Sequence, residues 1–275
     1  MSRTLLWINE PHLWDALIAT LCLMVAHALS PWFSQRLPGQ GKAFISFAGG
    51  VSVAYVFLDM LPDLVEYNKP IGEYLISNQW LTPFTELLIY IVALVGFLIY
   101  YGLDLLAERY QSVQRDSLVV YRLHLVMFSF YNILITHTIA LRAETGVMYT
   151  VLYTFAMMLH FVLIDRNFSQ MYPMRFSHVG RIILVIALFI GWLLSIIFDP
   201  INVLFVAFMM AFLAGSILFN VFREELPNSD LASFRWFVLG GLLITAILLL
   251  QTWIHTQNRP HRHLTSALYH KTIPH

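Results

Sequence analysis

The sequence predicts an all-α membrane protein: eight transmembrane helices in one bundle, with both termini on the non-cytoplasmic side. Two observations predict the class. Hydrophobic residues make up 59% of the 275 positions and charged residues only 12%, about half the charge of an ordinary soluble domain. The apolar residues also gather in runs of about 20, the length a helix needs to cross a ~30 Å hydrocarbon core. Backbone in lipid must satisfy its own hydrogen bonds, and no strand-like alternation competes, so helix is the conformation these runs dictate. The 16 Lys and Arg balance the 16 Asp and Glu, which leaves no basic excess for a nucleic-acid partner. The lone Cys22 supplies neither a disulfide framework nor a thiolate zinc site.

Near the start, Leu5-Leu6-Trp7-Ile8 is interrupted by Asn9-Glu10-Pro11. The first long run therefore reads as a retained helix and not as a cleaved leader. It covers 13–33 and ends before Pro38-Gly39-Gln40-Gly41. The second covers 43–66 and stops at Asn68-Lys69-Pro70. The third covers 84–106, and the stretch from Glu108 to Asp116 separates it from the fourth at 118–141. Glu144-Thr145-Gly146 breaks the chain before the fifth run, 147–166, and Met171-Tyr172-Pro173 follows it. The sixth covers 179–198, with Asp199-Pro200 before the seventh at 201–222; Pro227-Asn228-Ser229 precedes the eighth at 234–254. These runs make residues 1–256 one transmembrane domain. Residues 257–275 form a polar tail with His261, His263, His270 and His275, either a frayed end or a weak external collector of metal.

Orientation follows from Lys and Arg in the short loops. Loops 1–2, 3–4, 5–6 and 7–8 with their flanks hold Arg36, Lys42, Arg109, Arg115, Arg122, Arg166, Arg175, Arg181, Arg223 and Arg235. The opposite loops hold Lys69 and Arg142, and Arg3, Arg259, Arg262 and Lys271 lie in the tails. Both termini then face outside, as an even number of crossings allows. Trp7, Trp14, Trp32, Trp80, Trp192, Trp236 and Trp253 fall mostly near span ends, as interfacial anchors do.

Helix 2 reads Phe47-Ala48-Gly49-Gly50-Val51 and then Val56-Phe57-Leu58-Asp59-Met60-Leu61-Pro62-Asp63. Helix 7 reads Phe212-Leu213-Ala214-Gly215-Ser216-Ile217-Leu218-Phe219, running to Glu224-Glu225-Leu226-Pro227, and Gly240-Gly241 lies in helix 8. These stretches resemble the helices of the ZIP (Zrt/Irt-like) divalent-metal transporters, in which an Ala-Gly-Gly stretch precedes a His-Leu-Leu-Pro-Glu ending. Eight helices with both ends outside is that family's topology too. The resemblance implies a ZIP-like bundle that carries Zn²⁺, Fe²⁺ or Mn²⁺. In the family, helix 4 carries His-Asn-x-Pro-Glu-Gly, and helix 5 a His or Gln, a carboxylate and then a Glu. Here Asn132 and His160 match, while Tyr131, Leu134, Ile135, Phe161 and Ile164 stand at the other positions. Asp165 lies one position late, turned about 100° around the helix.

Intramembrane ionisable residues are functional candidates by default: His27, Asp59, Asp63, Glu86, Asp104, His124, His137, His160, Asp165, Glu224 and Glu225. The metal ligands implied by the resemblance are Asp59, Asn132, His160 and Glu224. Each has a plainer reading: a solvated or paired carboxylate for Asp59, an interhelical hydrogen bond for Asn132 and His160, a salt bridge with Arg223 or Arg235 for Glu224. Asp63 reads as a solvated face.

The functional expectation is a carrier in a bacterial inner or plasma membrane. Its partners are the bilayer, a divalent cation as cargo and a second copy of the chain as a possible homodimer, with no catalytic group. The alternative is a ZIP-fold protein without metal transport: a sensor, a partner subunit or a carrier of another solute. A membrane-embedded metallohydrolase is the more distant alternative, since no His-x-x-x-His pair exists to activate water. Haem held between His27, His124, His137 and His160 would require these four to lie at matching depths.

Overall fold

The computed structural model describes residues 11–36, 41–66, 68, 87–113, 118–173, 175–176, 178–197, 203–225 and 233–258. Among them are eight helices long and apolar enough to cross a membrane. They are α1 (Pro11–Arg36), α2 (Gly41–Glu66), α3 (Leu88–Val113), α4 (Leu118–Thr145), α5 (Val147–Met171), α6 (His178–Ile197), α7 (Val203–Asn220, extended by Val221–Glu225) and α8 (Phe234–Asn258). Pro11 opens α1, where a missing N–H costs nothing. Gly146 alone joins α4 to α5, and its φ of 138° is a conformation that favours glycine. Two helices are not regular throughout: α2 widens into a π-helical turn at Val56–Met60 and α7 into another at Val221–Glu225.

Contacts fix the relative directions. Tyr131 meets His160 and His124 meets Tyr172, so α4 and α5 are antiparallel. Tyr100 reaches Met127 while Asp104 lies beside His124, so α3 and α4 are antiparallel too. On α4 and α6, Asn132 bonds to Leu184 and Thr136 to Leu188, which makes that pair parallel. Successive helices therefore alternate, as successive membrane crossings require. The most apolar stretches of α5 and α7 are 61% buried, against 22% for α3 and α8. So α2, α4, α5 and α7 form the interior, while α3, α6 and α8 turn most of their surface outward as apolar side chains. Trp14, Trp236 and Trp253 are exposed near helix ends, as expected of anchors, but Trp192 packs inward against the core.

Close approach at glycine binds the outer helices to the inner ones. A Cβ at Gly50 of α2 would stand 2.0 Å from the Phe237 carbonyl oxygen of α8, and one at Gly240 would stand 2.1 Å from that of Phe47. The α7–α3 seam repeats the arrangement: Gly215 would meet the Ala93 carbonyl at 1.8 Å, and Gly96 the Phe212 carbonyl at 2.3 Å. Small residues allow this because lipid supplies no hydrophobic drive between helices, so packing must supply the attraction.

The two seams are related. Phe47, Gly50, Val56, Phe57, Leu61 and Pro62 recur at constant offset as Phe212, Gly215, Val221, Phe222, Leu226 and Pro227. Both π-turns begin six residues after the contact glycine, at Val56 and Val221. Since α2 and α7 run in opposite directions, this is an inverted repeat. Phe57 and Phe222, equivalent residues, meet edge to face with centroids 6.2 Å apart. The same operation exchanges α3 with α8 and the α1–α5 contact with the α6–α4 contact.

Candidate functional site

Among the described residues three polar clusters join the helices, one in the middle of the bundle and one towards each end. The first sits at one end of the bundle, where α2 leaves its π-turn. Arg142 of α4 donates from one guanidinium nitrogen to Asp59 Oδ2 (2.9 Å) and from the other to Asp63 Oδ2 (2.6 Å). Its carbon lies 4.8 Å over the Tyr153 ring. Only 8% of the Arg142 side chain and 10% of Asp59 are exposed, so this is a desolvated fork between charges and not a rim contact. Two sequence readings change here. Arg142 is not a loop cation but lies within α4, and Asp63 is held by that guanidinium instead of forming a solvated face. Beside them a crevice is lined by Met60, Leu64, Leu213, Ala214 and Ile217.

The second cluster lies in the middle. His27 Nδ1 and Asp165 Oδ1 are 2.9 Å apart, each residue 1% exposed. Asn132 Nδ2 stands 3.1 Å from His27 Nε2 and 3.3 Å from the Leu184 carbonyl. An amide N–H donating to Nε2 leaves the proton on Nδ1, pointing at the carboxylate. Ser30 donates to Asp165 Oδ2 at 2.6 Å. The hydroxyl thus sits on the carboxylate and not on the imidazole, so no serine–histidine nucleophile forms. Phe161 stacks on His27 at 4.4 Å, a ring where the resemblance implies a carboxylate. Across the α4–α5 seam, Tyr131 and His160 bond at 2.8 Å, and His160 is fully buried.

The third cluster is at the opposite end. Arg223 of α7 donates to Asp104 Oδ2 at 2.9 Å and pairs with Glu108. His124 Nδ1 meets the Tyr172 hydroxyl at 2.7 Å, and its Nε2 stands 4.0 Å from Asp104 Oδ1. A second crevice opens there, with Asp104, His124, Asn167 and Asn220 on its wall.

The four implied ligands do not converge. Asp59 is held by Arg142, Asn132 by His27, and His160 by Tyr131. Glu224 lies on the α7 π-turn, and its side chain, like residues 259–275 of the tail, is outside those described. Among the described residues no three His, Cys, Asp or Glu side chains group as a metal site. The plainer readings hold for Asn132 and His160: each makes an interhelical bond. Asp165 does point away from the expected ligand direction, toward α1. Sequence reasoning did not single out Ser30, nor Arg142 and Asn220 as participants. Arg142 sits one residue past the end of the apolar run, and Asn220 looked like any polar residue at a helix end. A search of family models and of curated proteins finds no match for this chain.

Proposed function

We propose that the chain is a ZIP-like membrane carrier of divalent cations, with both termini outside and a path through α2, α4, α5 and α7. One observation carries the reading: the inverted repeat, in which α2 and α7 each bring a contact glycine and then a π-turn, the two turns meeting at Phe57 and Phe222. Secondary transporters build their sites where inverted halves meet, and π-turns such as these, at corresponding positions of the two halves, cluster at functional positions. Two halves of opposite direction can exchange roles, and that exchange opens a path to either side in turn.

A specific observation favours a second reading, a ZIP-fold protein that has left metal transport behind. Arg142 already neutralises Asp59, and Tyr131 already engages His160. Uptake of Zn²⁺, Fe²⁺ and Mn²⁺ into proteoliposomes separates the two. The carrier reading expects saturable uptake that falls at least tenfold in Asp59→Ala or His160→Ala. Folded protein with no uptake above empty vesicles leaves the second reading.

A further inference from the structure

We propose that the crevice at the Arg223 end binds a divalent transition-metal cation through Asp104 Oδ1, His124 Nε2 and the Asn220 carboxamide. For its place in transport this rests on the carrier reading above; for binding it stands on the crevice alone. Asp104 spends Oδ2 on Arg223, which leaves Oδ1 directed at His124 Nε2. Their 4.0 Å separation is too long for a hydrogen bond. Two donors each about 2.1 Å from one metal stand about 3.0–3.4 Å apart when adjacent in its coordination shell, so a small closure brings both onto one ion.

The surroundings fit that role. Tyr172 holds His124 Nδ1, and a hydroxyl accepting from Nδ1–H leaves the Nε2 lone pair for the metal. Asn220 lines the same crevice, is 1% exposed, and has an amide nitrogen without a hydrogen-bond partner among the described residues. Buried amides are rarely left so, and a half-turn of the carboxamide offers its oxygen instead. One imidazole with one carboxylate and a carbonyl suits Mn²⁺, Fe²⁺ or Zn²⁺ better than the all-oxygen ions.

The inverted repeat sets the two ends of the bundle in comparison. Asn220 corresponds to Tyr55, which immediately precedes the other π-turn. There Asp59 and Asp63 already hold a cation, the Arg142 guanidinium. At the other end Asp104 and Glu108 hold the Arg223 guanidinium in the same way, and there Asp104 Oδ1 stays outside that pair.

The test is an Mn²⁺ titration of the full chain in detergent, read by electron paramagnetic resonance with spin-echo detection of bound nitrogen. All samples carry His261→Asn, His263→Asn, His270→Asn and His275→Asn, so the tail does not contribute. The expected result is saturable binding with an imidazole signal. His124→Gln removes that signal. Asp104→Asn and Asn220→Leu weaken affinity beyond the roughly 10- to 100-fold lost with a ligand's hydrogen-bond partner. Asn220→Leu removes an amide nitrogen that has no hydrogen-bond partner among the described residues, so it decides the matter if the Asp104 variant fails to fold. No saturable binding, unchanged affinity in Asn220→Leu, or a nitrogen signal surviving His124→Gln overturns the site. Binding without Mn²⁺ uptake into proteoliposomes removes the carrier reading and leaves the site standing.

Discussion

Arg142 shows how one residue changes the reading of its neighbours. Asp59 was legible as an aspartate within an apolar run, but its partner lies 83 positions along the chain, beyond any local pattern. Removing the guanidinium leaves two carboxylates without a countercharge, one of them 10% exposed. Breaking a buried pair by deleting one partner costs about 3–5 kcal/mol. Arg142→Met is therefore expected to lower the unfolding midpoint of the purified protein sharply, while Arg142→Met combined with Asp59→Asn and Asp63→Asn regains most of the loss. Equal damage in the single and triple variants would mean that the long side chain, not the charge pairing, matters there. At the same scale His27 and Asp165 were visible only as separate intramembrane ionisable residues, and Ser30 was not singled out. Their convergence depends on how α1 and α5 are rotated about their own axes.

Helix boundaries were largely legible, because exclusion of charge from lipid acts along the chain. Each of the eight runs is helical over its described residues, and the helices differ from expectation mainly by extending further: α5 continues to Met171 and α8 to Asn258. The π-turns were not legible, since one extra residue per turn leaves hydropathy unchanged. The glycines were legible as packing positions, though not with their partners. Gly50→Ala and Gly215→Ala each force a Cβ into backbone at 2.0 and 1.8 Å, and overpacking of this kind costs about 1–3 kcal/mol. Gly102 has nothing within 4 Å of such an atom, so Gly102→Ala should stabilise α3 by up to about 1 kcal/mol through helix propensity. Thermal unfolding in detergent compares the three. A neutral Gly50→Ala would show that the α2–α8 seam can open without cost.

Orientation is a property of the whole molecule, argued from loop cations. Arg142 lies inside its helix, as Arg109, Arg122, Arg166, Arg181, Arg223 and Arg235 lie inside theirs, so the expected contrast between the two sets of loops with their flanks is unchanged. With Cys22→Ser as background, Ser2→Cys and Lys69→Cys should react with a membrane-impermeant thiol reagent on intact cells. Gln40→Cys and Gln114→Cys should react only after permeabilisation. The reverse pattern would invert the bundle and leave the repeat intact. What the sequence by itself determined is the class, the eight helices and most of their limits, since transfer of apolar segments into lipid is additive along a chain. What only the tertiary structure decided is which polar groups meet: Arg142 with Asp59 and Asp63, His27 with Asp165 from 138 positions away, His124 near Asp104. Those meetings depend on helix rotation and crossing, which hydropathy does not encode, and on an inverted repeat whose halves share only a few residues at constant offset.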